Sequence, residues 1–168
     1  MEAAIQQGIR LNIGCGRRVL DGWINVDKKT RESAPDVDSD VRDLPFPDNY
    51  ADEVMAIHLV EHFYAWEAPD VINEWRRVLK PGGKLIIECP DLEKTIKHMY
   101  EGRSEPNLTM WPLYGDPTHQ DPLMCHKWGY NTYSLEKLLS YCGFDKIESE
   151  PAQFHMKDIR DMRMVATK

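Results

Sequence analysis

The chain has 168 residues, a formal net charge of -7, 42% hydrophobic and 29% charged residues, which is enough for one soluble domain with a real core and too little for two ordinary ones. The negative charge argues against a nucleic-acid backbone as partner, and no stretch nears the ~20 apolar residues of a membrane span. The opening MEAAIQQGIR has neither the basic start nor the apolar core of a secretion signal, so a cytoplasmic location is expected.

In chain order, residues 9–13 form a short apolar run that ends in glycine and predicts a strand, and residues 23–26 predict a second. Residues 28–40 are polar, carry Pro35 and predict a loop. A further short strand is expected over 40–44, closed by Pro45 and Pro47. Residues 52–57 read as a buried strand. Over 67–79, Val71, Ile72, Trp75, Val78 and Leu79 recur on one helical face, and Pro81-Gly82-Gly83 stops that helix. The basic residues nearby (Arg76, Arg77, Lys80, Lys84) fit its solvated side. A strand over 84–89 and a helix over 91–100 follow.

Residues 102–131 hold prolines, glycines, aromatic residues and the histidines His119 and His126, with no period. So long an unpatterned stretch in a compact domain points to a functional loop or lid. Ser134 is expected to cap a helix that Gly143 ends. Strands near 146–150 and 162–167 close the chain. Strands separated by helices or long crossovers imply an α/β open sheet, mostly parallel.

Ligands of such sheets bind beyond the carboxyl ends of the strands, at the switch point. The first strand offers Gly14-Cys15-Gly16 there, the second Asp27, the third Asp43-Leu44, and the fourth His58 with Glu61-His62 just beyond. Glycines let the backbone approach a ligand, one acid suits ribose hydroxyls, and another can accept from an adenine amine. The glycine pair alone reads as a plain turn, and it is the two acids at later strand ends that make it a nucleoside site. A nicotinamide-dependent oxidoreductase is the rival enzyme, but position 19 is Val where a third glycine would stand, and Asp27 comes too soon after Gly14.

These stretches resemble the motifs of small class I S-adenosylmethionine-dependent methyltransferases of the type 11 kind. LNIGCG is similar to the family's first motif, INVD to its second and DVRDLPFPDN to its adenine-side motif. DEVMAIHLVEHF resembles the fourth-strand motif, EWRRVLKPGGKLIIECPD the helix-turn-strand after it, and YSLEKLLSYCGF the last helix. The resemblance implies a single Rossmann-like methyltransferase domain over 1–168, its sheet mostly parallel with an antiparallel C-terminal strand. Residues 9–91 would be the cofactor-binding core, 101–131 the substrate loop or lid, and 132–168 the C-terminal helix and strands.

Carried over by motif, Gly14 and Gly16, with Cys15 between them, would flank the methionine part of S-adenosylmethionine. Asp27 would hold the ribose diol, and Asp43 and Leu44 would flank the adenine. His58 would sit beside the methionine end or the acceptor. Asn12 stands where the family often has an acid; its amide can hydrogen-bond but cannot ion-pair with the cofactor's amino group. The crossovers after Gly16 and after Asp43 are too short for the usual helices, so one face of the sheet is expected to carry reduced helices. Apolar surface exposed there would be buried by a homodimer or by the N-terminal segment.

The implied reaction is methyl transfer to oxygen or nitrogen of a small-molecule or saccharide-like acceptor. The stretch HKWGYN (126–131) resembles one in methyltransferases that accompany glycosyltransferases, which favours a sugar. His58, then His126, then His119 are the candidate bases. A cofactor-binding module without turnover is the reading outside enzymology. Glu61-His62 is either a catalytic pair or an acid well placed at a helix start. His119, Asp121 and His126 match no firm ligand spacing, so no metal is expected. The four cysteines form no C-x-x-C pair and read as reduced; Cys15 reads as packing rather than nucleophile. Neither a cytosine-methylation thiol nor an Asn/Asp-Pro-Pro-Tyr/Phe motif is present.

Overall fold

A computed structural model describes residues 8–30 and 33–168. Its strands are β1 (Arg10–Ile13), β2 (Ile24–Asp27), β3 (Val37–Asp38), β4 (Ala51–Ile57), β5 (Leu79–Pro90), β6 (Asp145–Glu150) and β7 (Asp161–Thr167). The helices are α1 (Ala68–Val78), α2 (Leu92–Tyr100), α3 (Trp111–Tyr114) and α4 (Thr132–Tyr141). The strands form one sheet in the order β3-β2-β1-β4-β5-β7-β6. The first five are parallel, and β7 runs antiparallel to both β5 and β6.

Alternation along each strand assigns residues to two faces. Leu11 and Ile13, Val54 and Ala56, Leu85 and Ile87, and Met162 and Met164 turn to the main core. There α1 contributes Val71, Ile72, Trp75 and Val78, and α4 contributes Leu135 and Leu139. Trp75 is fully buried, and its indole N–H donates to the Val41 carbonyl at 2.9 Å. Arg77 ties the segment before β4 to α1 by donating to the carbonyls of Leu44 and Phe46 and to the Glu74 carboxylate.

The opposite face lacks that cover. The β1–β2 and β3–β4 connections contain no α-helix. Met55, Ile57, Ile86 and Val165 are nevertheless buried there, under Leu20, Trp23 and Phe154 from two loops. Polar side chains of the strands hold those loops down. Asn12 Nδ2 donates to Asn25 Oδ1 and to the Arg18 carbonyl, both at 2.8 Å. Leu20 N–H donates to Asn25 Oδ1, and Asn25 in turn donates through N and Nδ2 to Asp36, each at 2.8 Å. Across the sheet, Glu88 accepts from Phe154 N–H at 2.6 Å, Gln153 N–H at 2.8 Å and Arg163 Nη1 at 3.2 Å. The expected exposed apolar patch over this face is therefore absent among these residues: polar clamps and two loops stand in for helices.

Two local expectations need correction. The third strand is Val37–Asp38, not residues 40–44, which form turns. The cap of α4 is Asn131, whose side chain accepts from Ser134 N–H at 2.8 Å while Ser134 Oγ accepts from Asn131 N–H at 3.0 Å. Ser134 thus sits one turn inside the helix, as the reciprocal half of a capping box.

Removing Glu88 strands a buried guanidinium and two loop N–H groups. Glu88→Ala should cost about 3–5 kcal/mol, whereas Lys84→Ala, exposed on the same strand, should stay within about 0.5 kcal/mol; urea denaturation measures both.

Candidate active site

The strand order reverses direction between β1 and β4, which places a crevice beyond their carboxyl ends. Gly14 and Gly16 follow β1 directly, with φ of +62° and +53°. A Cβ on Gly14 would stand 2.7 Å from Leu59 Cδ1, while one on Gly16 would meet nothing within 4 Å. The first glycine is favoured by its left-handed backbone, with Leu59 beside it, and the second leaves bare backbone beside open space. Cys15, between them, is buried and hydrogen-bonds through its N–H to the Val26 carbonyl at 3.2 Å. Burial, then the nearby Asp27 charge, pushes its thiol up to about 11, so it packs and does not react.

Asp27 ends β2 next to that opening. Its Oδ2 accepts from Gly16 N–H at 2.6 Å and its Oδ1 from Lys28 N–H at 2.7 Å. Two backbone donors fix the carboxylate yet leave each oxygen with acceptor capacity. Asn12 lies beneath, 2% exposed, with its amide engaged on the β1–β2 loop as described above. Asp43 and Leu44 occupy the β3–β4 connection rather than a strand tip. Asp43 is exposed, and Leu44 is a core residue whose N–H donates to Glu74 Oε1 at 2.8 Å.

His58 is the first residue beyond β4, and its φ of +50° is left-handed, a conformation costly for a side chain with a Cβ. The conformation is held from both sides. Nδ1 lies 3.0 Å from Glu61 Oε1, and Nε2 lies 3.1 Å from Asp161 Oδ2. Asp161 is also gripped by Arg160 Nε at 2.6 Å and by Met156 N–H at 3.2 Å. Burial alone would lower the His58 pKa, but the bonds to Asp161 and Glu61 outweigh it and raise it to about 9. His58 is an imidazolium with both ring nitrogens engaged, which leaves no free lone pair for a base. The His155 ring stands edge-on 4.2 Å away; burial and the His58 charge push it down to about 4.

The two carboxylates and the other histidines sort as follows. Glu61 is buried, and although burial raises its pKa, the bond and charge of His58 hold it well below the usual carboxylate range. His62 and His126 approach edge-to-face with centroids 4.9 Å apart, and His126 Nε2 is 3.9 Å from Glu61 Oε1. His119 is exposed on a single turn of the loop and has no part in this cluster. Asp161 and Arg160 were not among the expected site residues. The signal for them is topological: an antiparallel β7 begins at the edge where β5 ends, and Asp161 pairs with Pro90.

The loop's far end is pinned to the same edge. Lys127 N–H donates to the Glu61 carbonyl at 2.8 Å, and Leu92 N–H to the Tyr130 carbonyl at 2.7 Å. Farther out, Met110, Trp111, Tyr114, Pro122, Met124 and Cys125 help to line a cavity of about 470 Å³.

A methyltransferase-domain family model matches residues 20–87. Over that stretch the chain is similar to a methyltransferase domain. A probable S-adenosylmethionine-dependent methyltransferase of Mycolicibacterium smegmatis is 27% identical over 164 residues, matching 86% of this chain and 54% of its own length. An uncharacterised Methanocaldococcus jannaschii protein is 35% identical over 78 residues, 46% of this chain and 33% of its own. This chain therefore spans about half the length of one curated relative and a third of the other. The crystal structure of an Archaeoglobus fulgidus S-adenosylmethionine-dependent methyltransferase shares the fold, with a TM-score of 0.65 over 95% of this chain and 86% of that one at 20% identity.

The residues at the crevice fit S-adenosylmethionine, the donor named for the Mycolicibacterium smegmatis relative. The space a Cβ would fill at Gly16 is open, and Asp27 stands beside it with acceptor capacity for a diol. No helix among the described residues is long and apolar enough to cross a membrane.

Asp27→Ala should weaken S-adenosylhomocysteine binding by about 1–3 kcal/mol, read by calorimetry. Gly16→Ala should leave the domain folded, at a cost of about 1–2 kcal/mol for the left-handed backbone, while the added methyl enters the cradle and reduces S-adenosylhomocysteine binding in the same titration.

Proposed function

We propose that the protein transfers a methyl group from S-adenosylmethionine to a hydroxyl or amine of a small-molecule or saccharide-like acceptor. The supporting observation is the anchoring of the 101–131 loop. Its end hydrogen-bonds to the Glu61 backbone, one turn beyond His58 and the switch point. The same loop walls a cavity with Trp111, Tyr114 and Met124. Aromatic faces and a cavity of about 470 Å³ suit a sugar ring or a molecule of similar size.

Bound S-adenosylmethionine supplies a methyl on a positively charged sulfur, with a neutral thioether as leaving group. The chain's task is alignment. Gly14-Cys15-Gly16 would hold the methionine part and Asp27 the ribose, and the loop would hold the acceptor. Holding nucleophile, methyl and sulfur in line is worth about 7–11 kcal/mol of barrier. His58 acts here as a positioning residue: it keeps the β4 tip and Glu61 in place and takes no proton from the acceptor.

S-adenosylhomocysteine should raise the melting temperature of the protein and NAD should not. With labelled donor, incorporation should appear in hydroxyl- or amine-bearing acceptors from a panel that includes saccharides. Stabilisation by NAD alone would overturn the reading, and tight S-adenosylhomocysteine binding without incorporation into any acceptor would replace it with a module that binds and does not turn over.

A further inference from the structure

One cluster at the sheet edge is not used by methyl transfer. Glu61 and His62 lie on a single 3-10 turn, Val60–His62, beyond β4, and His126 comes from the loop that precedes α4. One donor atom from each lies within 4.8 Å of the others, and among the described residues this is the one such group. Glu61 is 2% exposed, yet its Oε2 has no hydrogen-bond partner; His62 Nδ1 is likewise buried and unpartnered. Leaving such groups unsatisfied costs about 1–3 kcal/mol each, so native structures carry few. Both atoms are electron-pair donors without a protein partner, and both belong to residues of this group.

His126 supplies the third donor. Its Nδ1 is 2.9 Å from the Pro112 carbonyl, which can only accept, so Nδ1 carries the proton and Nε2 the lone pair. That Nε2 is 3.9 Å from Glu61 Oε1, too far for a hydrogen bond. The cluster is therefore spaced around a gap and not closed on itself. Its outer partners are those of a ligand set. The Pro112 carbonyl orients His126, and His58 orients the Glu61 carboxylate through Oε1.

We infer that Glu61, His62 and His126 bind one divalent transition-metal ion of the zinc class. Two imidazole nitrogens and one carboxylate are a borderline-soft donor set; magnesium and calcium favour oxygen throughout. Three protein ligands leave a coordination position open to water or to an oxygen-bearing acceptor. Neither the spacing of His119, Asp121 and His126 nor the adjacency of Glu61 and His62 reveals this set, because the structure joins the whole of the second pattern to a single member of the first. The metal site stands independently of the methyl-transfer reading.

The test is metal binding to the intact chain after chelator treatment and dialysis. Cobalt(II) should bind at one equivalent with visible d–d absorption, and zinc should displace it. Glu61→Gln and His126→Ala should each weaken cobalt binding by at least about tenfold, and His119→Ala should leave it unchanged. Circular dichroism identifies a variant that fails to fold, and His126→Ala, altering a loop residue, then decides alone. Absence of saturable cobalt binding, binding untouched by His126→Ala, or equal loss in His119→Ala would overturn the inference, as would binding of magnesium alone. S-adenosylhomocysteine titration of the same preparation reports separately on the cofactor site, so failure of one does not imply failure of the other.

Discussion

The imidazolium of His58 between Glu61 and Asp161 is the contact on which the edge of the sheet depends. It joins β4 to β7, which are not neighbours in the sheet, and it does so at a left-handed residue. Three charges gathered out of water would be unfavourable singly, and they persist because each is paired and hydrogen-bonded. Arg160 completes the balance by gripping the far side of Asp161. With the β4 tip fixed in this way, Leu59 is set over the space that a side chain at position 14 would need. The donor cradle and the Glu61 cluster therefore share one foundation.

The second constraint is economy of cover. Parallel sheets need both faces buried, and here one face is closed by loops instead of helices. Loops bring unpaired backbone groups, which demand partners. The strands provide them: Asn12 and Asn25 at one end of the face, Glu88 at the other. Polar residues inside strands are thus the counterpart of the missing helices, and the apolar remainder of that face shrinks to the small cluster around Met55 and Ile86.

That arrangement explains what could be read from the sequence. Strands β1, β4 and β5 and helix α1 were legible because their apolar periods are strong and each faces the main core. Strand β3 was not, since two residues carry no period. Val41 and Leu44 are buried three apart in turns, and this mimics a strand tip. The cap of α4 lies three residues before the expected one because Asn131 and Ser134 both have capping side chains, and only the extended backbone of Asn131 shows which of them stands outside the helix. Gly14, Gly16 and Asp27 lie together at the crevice, as the spacing implies. The clamp on His58 was invisible because Asp161 reaches it through strand register, a property of pairing and not of local pattern. For the same reason His62 and His126, distant in sequence, give no sign of meeting.

The antiparallel insertion of β7 also sets an order of events during synthesis. The glycine cradle and Asp27 are made from segments that precede β4. Asp161 follows His58 by 103 residues, so His58 can be locked only after that strand has been made. The clamp that steadies the β4 tip is therefore made later than the strands it steadies, by a strand that enters the sheet against β5.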